Sequence, residues 1–170
     1  MRRLRYSVAA SLDGYIASPD GGFEWIVMDP DIDFAAMYEN VDALLMGRAS
    51  YEVTVDMGGT GGPQKPTYVY SRTLPPGSHD GVTVVGDAVP HVRALRQEGG
   101  RMLWLWGGGN LFRELAAAAL VDEVEVAIIP ILLGAGLPLL ASPGPRLNLR
   151  LRSHRLYETS GIMLLTYDVV

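Results

Sequence analysis

The chain has no cysteine among its 170 residues. That absence removes disulfide frameworks, thiolate zinc sites, iron–sulfur clusters and cysteine nucleophiles, and it leaves the redox compartment open. Histidine is nearly as scarce: His79, His91 and His154 stand singly among polar or loop residues, which reads as solvated imidazoles and no metal centre. Lysine occurs once, as Lys65 after Gln64, so the Gly-Lys-Ser/Thr of a P-loop is missing. Basic residues are outnumbered 14 to 19, for a net charge of −5, which argues against a broad nucleic-acid footprint and leaves room for a local basic pocket. Long apolar runs are also missing. The longest, residues 126–141, is interrupted by Pro130, Gly134, Gly136 and Pro138, and a membrane span needs about 20 uninterrupted apolar residues. The basic start (Arg2, Arg3, Arg5) leads into an apolar stretch too short for a secretory leader, so a cytoplasmic protein is expected.

What is present suits one compact domain: 48% hydrophobic and 19% charged residues can bury a sizeable core over residues 1–170. Arg5 to Leu12 reads as a strand broken by Asp13-Gly14. Asp31 to Asn40 reads as a short helix beginning after Asp29-Pro30. Residues 42–51 read as a strand turning through Gly47-Arg48 into a helix, and 58–66, rich in glycine and proline, as a mobile surface loop. Strands follow at 67–71 and 82–85, with a helix at 92–97 ended by Gly99-Gly100. Met102 to Trp106 is a fully apolar strand, then come Gly107-Gly108-Gly109, Asn110 as expected N-cap, and an amphipathic helix over 111–121. Residues 124–133 read as another buried strand, and 147–157 and 162–169 as a closing antiparallel pair around Thr159-Ser160-Gly161. The total is about eight strands and four helices in an α/β arrangement.

The strand, glycine turn and helix at 103–115 is the most informative stretch. A helix N-terminus presents unpaired N–H groups and partial positive charge, and glycines let a bound anion approach the backbone, so a phosphate or pyrophosphate fits there. A tight strand-to-helix turn would need the same glycines. The Rossmann fingerprint does not apply, since Gly-Gly-Gly-Asn-Leu-Phe at 107–112 lacks its third glycine and the later acidic position falls in Ala127-Ile128-Ile129.

Three segments, Met46-Gly47-Arg48-Ala49-Ser50-Tyr51, Tyr70-Ser71-Arg72-Thr73 and Trp106-Gly-Gly-Gly-Asn110, together resemble the cofactor-binding series of the dihydrofolate reductase fold. The opening Ser11-Leu-Asp-Gly-Tyr-Ile-Ala17, with Leu120-Val-Asp-Glu123 and Pro130-Ile-Leu-Leu-Gly-Ala-Gly136, resembles more narrowly the reductase domain of the bifunctional riboflavin-biosynthesis deaminase–reductases. The resemblance spans residues 6–167. It implies a single dihydrofolate reductase-like domain, a twisted mixed sheet flanked by helices, with NADPH as cofactor and a homodimer as assembly. It places the pyrophosphate at Gly107, Gly108, Gly109, Asn110 and Leu111. It places the adenosine 2′-phosphate at Arg48, Ser50, Ser71 and Arg72, where two guanidiniums and two hydroxyls match a dianion. Gly47 and Thr73 join that series. Either arginine alone would read as a solvated surface residue.

By the same resemblance the nicotinamide lies by Ala9, Ala10 and Asp13 at the end of the first strand. A carboxylate of the first helix, Asp31 or Asp33, faces a small-molecule substrate to hold or supply a proton while hydride arrives. Either carboxylate equally suits the positive end of a helix. Trp25 matches an aromatic wall of the substrate pocket, with an ordinary core tryptophan as the alternative. Two positions depart from the riboflavin-pathway enzymes: Tyr15 stands where they carry Lys, and Gly47-Arg-Ala-Ser50 where they carry Gly-x-Gly-Thr. The chain therefore looks more like stand-alone relatives, and no deaminase half is present, for there is neither H-x-E nor Cys. The implied activity is reduction of a C=N bond in a heterocyclic or imine substrate, most like 5-amino-6-(5-phosphoribosylamino)uracil. Dihydrofolate reduction and an NADPH-binding module without turnover are the alternatives.

Overall fold

The computed structural model describes residues 1–59 and 62–170. Residues 60–61, in the middle of the glycine- and proline-rich stretch expected to be a mobile loop, lie outside the described residues. In chain order the elements are β1 (Arg3–Ser11), β2 (Tyr15–Ala17), α1 (Phe34–Glu39), β3 (Val41–Gly47), α2 (Arg48–Asp56), β4 (Thr67–Tyr70), β5 (Gly77–His79) and β6 (Val82–Val85). They continue with α3 (Ala88–Gln97), β7 (Met102–Gly107), α4 (Gly109–Ala117), β8 (Glu123–Ile129), β9 (Leu137–Pro138), β10 (Leu149–Tyr157) and β11 (Ile162–Val169). Nine strands form one sheet in the order β10-β11-β8-β1-β7-β3-β4-β6-β5, and β2 pairs with β9 in a small second sheet.

The six strands β8, β1, β7, β3, β4 and β6 run parallel, while β5 and the β10–β11 hairpin are antiparallel additions at the two ends. Parallel strands are covered on both faces, which is why β3 and β7 read as continuous apolar runs. On one face Leu4, Tyr6, Ala10, Leu45, Leu103 and Leu105 pack beneath α3 and α4 through Val92, Leu95, Leu111, Phe112 and Leu115. The Tyr6 and Phe112 rings stack with centroids 4.0 Å apart. On the other face Leu44, Met46 and Trp104 meet Tyr38 and Met37 of α1 and Tyr51 of α2. The Trp104 indole N–H donates to the Ser7 carbonyl at 3.1 Å, which satisfies the one polar atom that this buried ring carries.

Several boundaries differ from the sequence expectation. The sheet has nine strands, with the two-stranded β2–β9 sheet besides, where about eight strands were expected. The three additional strands are short: β5 has a turn-like composition, and β2 and β9, at three and two residues, are too short to show an alternating pattern. α1 begins at Phe34 because the Asp33 carboxylate accepts from the Ala36 N–H at 3.0 Å and fixes the first turn there. α4 begins two residues early. Its N-cap is Gly108, not Asn110, and Gly109 is already helical. A Cβ at Gly109 would lie 2.4 Å from the Pro138 carbonyl oxygen, so only glycine lets the helix start beneath the 138–141 segment. α3 starts at Ala88 with Pro90 in its first turn, a place where proline is tolerated. β8 ends at Ile129 because Pro130 has no N–H for the ladder.

Candidate active site

The chain leaves β1, builds β3, β4 and β6 outward, then returns to insert β7 between β1 and β3 before crossing to β8. β3 and β7 are therefore neighbours whose onward connections run in opposite directions. Right-handed crossovers send α2 and α4 to opposite faces, and a crevice opens between the carboxyl ends of these strands. Gly47 and Gly107 end the two strands.

Both helices that leave this crevice start without a side-chain cap. Gly47 is the N-cap of α2 and Gly108 that of α4, both with extended backbone. The two starts touch: a Cβ at Gly47 would lie 3.6 Å from the Gly108 nitrogen and 3.9 Å from Leu111 Cβ, and one at Gly107 would lie 2.9 Å from Ser50 Oγ. The peptide between Gly107 and Gly108 is cis. The structure thus brings Gly47, Ser50, Gly107, Gly108, Gly109 and Leu111 to one point, where two positive helix ends face outward. Asn110 lies exposed in the first turn of α4.

Beside this point lies the arginine cluster. Arg48, the first residue of α2, donates from Nη1 to Thr73 Oγ1 at 2.7 Å and from Nε to Glu52 at 2.6 Å. Ser71, buried just beyond β4, accepts at Oγ from the Thr73 and Leu74 N–H groups at 3.2 and 3.0 Å, which folds the 71–74 turn. Arg72 projects from that turn with 84% of its side chain exposed, its nearest acid being Glu114 of α4 at 3.9 Å. A groove of about 520 Å³ lined by Arg72, Arg113, Glu114, Ala117, Pro143 and Pro145 adjoins it. Arg48, Ser71 and Thr73 are thus in one bonded chain, and Arg72 links that chain to α4.

The residues expected on the substrate side behave differently. Ala10 is fully buried in the core beneath α4. Asp13 accepts from Ser11 Oγ at 2.6 Å and from the Leu133 and Gly134 N–H groups at 3.1 and 2.7 Å, so it ties the turn after β1 to the 133–134 loop. These hydrogen bonds, the Ser11 hydroxyl first, hold its carboxyl below the usual range. Asp33 is occupied in capping α1, whereas the Asp31 side chain is exposed. Trp25 is half-buried, donates to the Gly22 carbonyl at 3.3 Å, and packs with Ile26, Ile32 and Ala9 against Ile129, Tyr157 and Ile162.

Sequence reading missed Asp29. Its buried carboxylate accepts from the Ser160 N–H and the Asp31 N–H, both at 2.9 Å, and so fastens the loop carrying Trp25 and Asp31 to the β10–β11 turn. The Ser160 side-chain hydroxyl first, then the Asp31 N–H, hold its carboxyl below the usual carboxylate range. Asp29-Pro30 reads only as a helix start in sequence, because the partner lies 131 residues away. Glu52 was missed for the opposite reason: as an exposed helical acid it has no motif.

This order of strands with a glycine turn at the β7–α4 junction defines a dihydrofolate reductase-like domain. The model of the RibD C-terminal domain matches residues 2–163, and the chain belongs to that family. A putative riboflavin biosynthesis protein from Shewanella sp. PV-4 is 29% identical, with a TM-score of 0.83 over 100% of this chain and 99% of the other. Dihydrofolate reductase from Enterococcus faecalis, solved with NADP(H) and RAB-propyl, is 20% identical, with a TM-score of 0.72 over 98% and 96%. A diaminohydroxyphosphoribosylaminopyrimidine deaminase/5-amino-6-(5-phosphoribosylamino)uracil reductase from Thermotoga maritima is 15% identical, with a TM-score of 0.74 over 99% of this chain and 57% of that one. At these last two identities the likeness speaks for the fold.

Proposed function

We propose that this protein is an NADPH-dependent reductase that acts on a C=N bond of a heterocyclic or imine substrate, most like the 5-amino-6-(5-phosphoribosylamino)uracil of riboflavin synthesis. The observation that carries the reading is the meeting of two side-chain-uncapped helix starts at the β3–β7 crevice, with Arg48 and Arg72 beside them. Family membership and the dihydrofolate reductase-like fold support a reductase of the riboflavin-pathway type. NADPH fits the residues present. The glycine turn is bare where a Cβ at Gly107 would press on Ser50, and the arginines and hydroxyls beside it suit a second phosphate. When bound, NADPH supplies the hydride.

The chain's own residues then divide the work. The backbone N–H groups at Gly109, Asn110 and Leu111, with Gly107 and Gly108 leaving space, bind the pyrophosphate. Arg48 and Arg72 bind the 2′-phosphate by charge-assisted hydrogen bonds, with Ser50, Ser71 and Thr73 as hydroxyl partners and Gly47 keeping the crevice floor clear. Ala10, fully buried in the core, supports the end of β1 behind the nicotinamide site and presents no surface to it. Asp31, the exposed carboxylate of the substrate loop, holds the proton on the substrate nitrogen, and Trp25 walls the pocket. Asp13 acts by fixing the 133–134 loop. Asp33 remains the second candidate for the proton.

The assembly we propose is a homodimer in the cytoplasm. β10 is a nine-residue edge strand with Leu149, Leu151 and Leu156 each 44–51% exposed, the kind of edge a second copy covers. Light scattering of the pure protein checks this, and a monomer mass refutes it.

Thermal shift with NADPH and with NADH tests binding, since a ligand of the native state raises the melting temperature. No stabilisation by either refutes the cofactor. With binding in hand, loss of nicotinamide absorbance on adding the pyrimidine or dihydrofolate separates the proposed reductase from dihydrofolate reductase activity. Silence with both favours binding without turnover.

A further inference from the structure

Both arginines of the proposed ribose-phosphate pocket stand beside carboxylates that the NADPH reading leaves unused. Arg48 does not stand alone there. Glu52, one turn along α2, accepts its Nε–H at 2.6 Å, and Thr73 Oγ1 accepts from Nη1 on another side. Two of the five guanidinium N–H donors are engaged, and the rest remain for a ligand. The second arginine has its own carboxylate, Glu114, at 3.9 Å. Each of these two arginines therefore stands beside a carboxylate, within a chain of net charge −5, and Arg113 of the adjoining groove adds a third positive group.

We propose that Glu52 sets the choice between phosphorylated and unphosphorylated dinucleotide, and that it does so by lowering the pocket's preference for the 2′-phosphate, so that NADH is accepted alongside NADPH. A phosphate bonding the outer N–H groups of Arg48 must share that guanidinium with a carboxylate. Like charges on one cation oppose each other. A free 2′-hydroxyl meets no such repulsion and can donate to a carboxylate, the way an acidic residue selects NAD elsewhere. Glu52 thus weakens one ligand and favours the other, and both effects move the ratio towards NADH. Its alternative role is to hold Arg48 upright as an ordinary i,i+4 helix pair. The Thr73 contact holds the guanidinium independently, so the carboxylate is spare for positioning.

The inference rests on the NADPH-binding reading, and its test separates the two. Dissociation constants for NADPH and NADH are measured by titration calorimetry on the full chain, wild type, Glu52→Gln and Glu158→Gln, at low salt and at high salt. Glutamine keeps the shape and an acceptor oxygen while removing the charge. The wild type is expected to bind both nucleotides within about tenfold of each other, because an exposed charge pair shifts a binding constant only severalfold. Glu52→Gln is expected to tighten NADPH roughly three- to tenfold with NADH unchanged or weaker, an effect that shrinks at high salt as screening sets in. Glu158, in the turn after β10, serves as the control for net charge and leaves the ratio unchanged. Weaker NADPH binding in Glu52→Gln, an equal shift for both nucleotides, or an unchanged ratio would overturn the inference while the cofactor reading stands. Binding of neither nucleotide to the wild type would overturn the reading itself.

Discussion

Gly109→Ala offers a sharp test of how the glycine turn is built. The backbone at Gly109 is not in the left-handed region, so alanine can adopt it, and alanine is the better helix former by about 1 kcal/mol in a helix interior. Propensity alone therefore predicts a gain. The surroundings predict the reverse, since the added methyl would sit 2.4 Å from the Pro138 carbonyl oxygen, 3.3 Å from that of Leu139 and 3.4 Å from the Ala141 nitrogen. All three are backbone atoms, and no side chain can swing aside. Either the 138–141 segment or the first turn of α4 must move. Overpacking of this kind costs about 1–3 kcal/mol, which for a domain of this size lowers the melting temperature by roughly 3–9 °C. Gly86→Ala is the matched control, because a Cβ there meets nothing within 4 Å, and its effect should stay within about 0.5 kcal/mol. Urea and thermal unfolding of the two variants measure the difference. A Gly109→Ala protein as stable as wild type, with NADPH stabilising it equally, would refute the close approach and the argument built on it.

Replacing Arg48 and Arg72 together by Ala removes both guanidiniums, each worth about 1.5–3 kcal/mol as a charged hydrogen-bond donor; NADPH should weaken at least tenfold and NADH much less, and equal losses in calorimetry would reduce them to surface arginines. Asp31→Asn should depress turnover without moving the melting temperature, whereas Asp33→Ala should lose about 1 kcal/mol of stability as a removed N-cap and keep its turnover; the reverse pattern in paired kinetic and unfolding measurements would exchange their roles. Asp168, held by Arg152 first and then Arg3, has its pKa lowered to about 2, so its stabilising contribution is complete above the unfolded-state value near 4 and is lost as pH falls towards 2. The melting-temperature gap between wild type and Asp168→Asn should accordingly close between about pH 4 and 2, and a gap constant with pH would show that the pairing contributes nothing.

The meeting of Gly47, Ser50 and the 107–109 glycines, where we propose the cofactor binds, was legible because it is made largely from backbone. Gly107-Gly108-Gly109 after an apolar strand marks a close strand-to-helix turn, and the junction at Gly47-Arg48 and the turn at Ser71-Arg72 follow β3 and β4 directly, so local geometry alone places them at the carboxyl end of the sheet. What failed locally was the helix start: Asn110 is a good N-cap by type, yet Gly108 takes that position because the 138–141 segment presses on Gly109, a contact across some thirty residues of chain. β5 was invisible because its residues are those of a turn, and β2 and β9 because two or three residues carry no period. On the substrate side, residue type was uninformative. Asp13, Asp29, Asp31 and Asp33 are chemically alike, and only their partners separate a loop clamp, a buried anchor, an exposed carboxylate and a helix cap.

Those partners decide how the 23–33 loop, which we propose faces the substrate, is held. Residues 23–33 contain no regular element, and loops of that length owe their order to specific contacts. Here the contacts come from the far end of the sheet. Asp29 accepts from Ser160 at the β10–β11 turn, Arg155 of β10 donates to the Asp31 carbonyl at 3.4 Å while resting 4.5 Å over the Tyr157 ring, and Trp25 shares a cluster with Tyr157 and Ile162. The hairpin is thus the floor on which the substrate loop lies. α2 and α4, which frame the cofactor crevice, are absent from that cluster. The two halves of the site are accordingly built on different supports, so that a change at Asp29 or Ser160 should alter substrate affinity while leaving dinucleotide affinity in place. An Asp29→Ala protein that stays folded and loses both affinities together would show instead that the hairpin and the crevice are one mechanical unit.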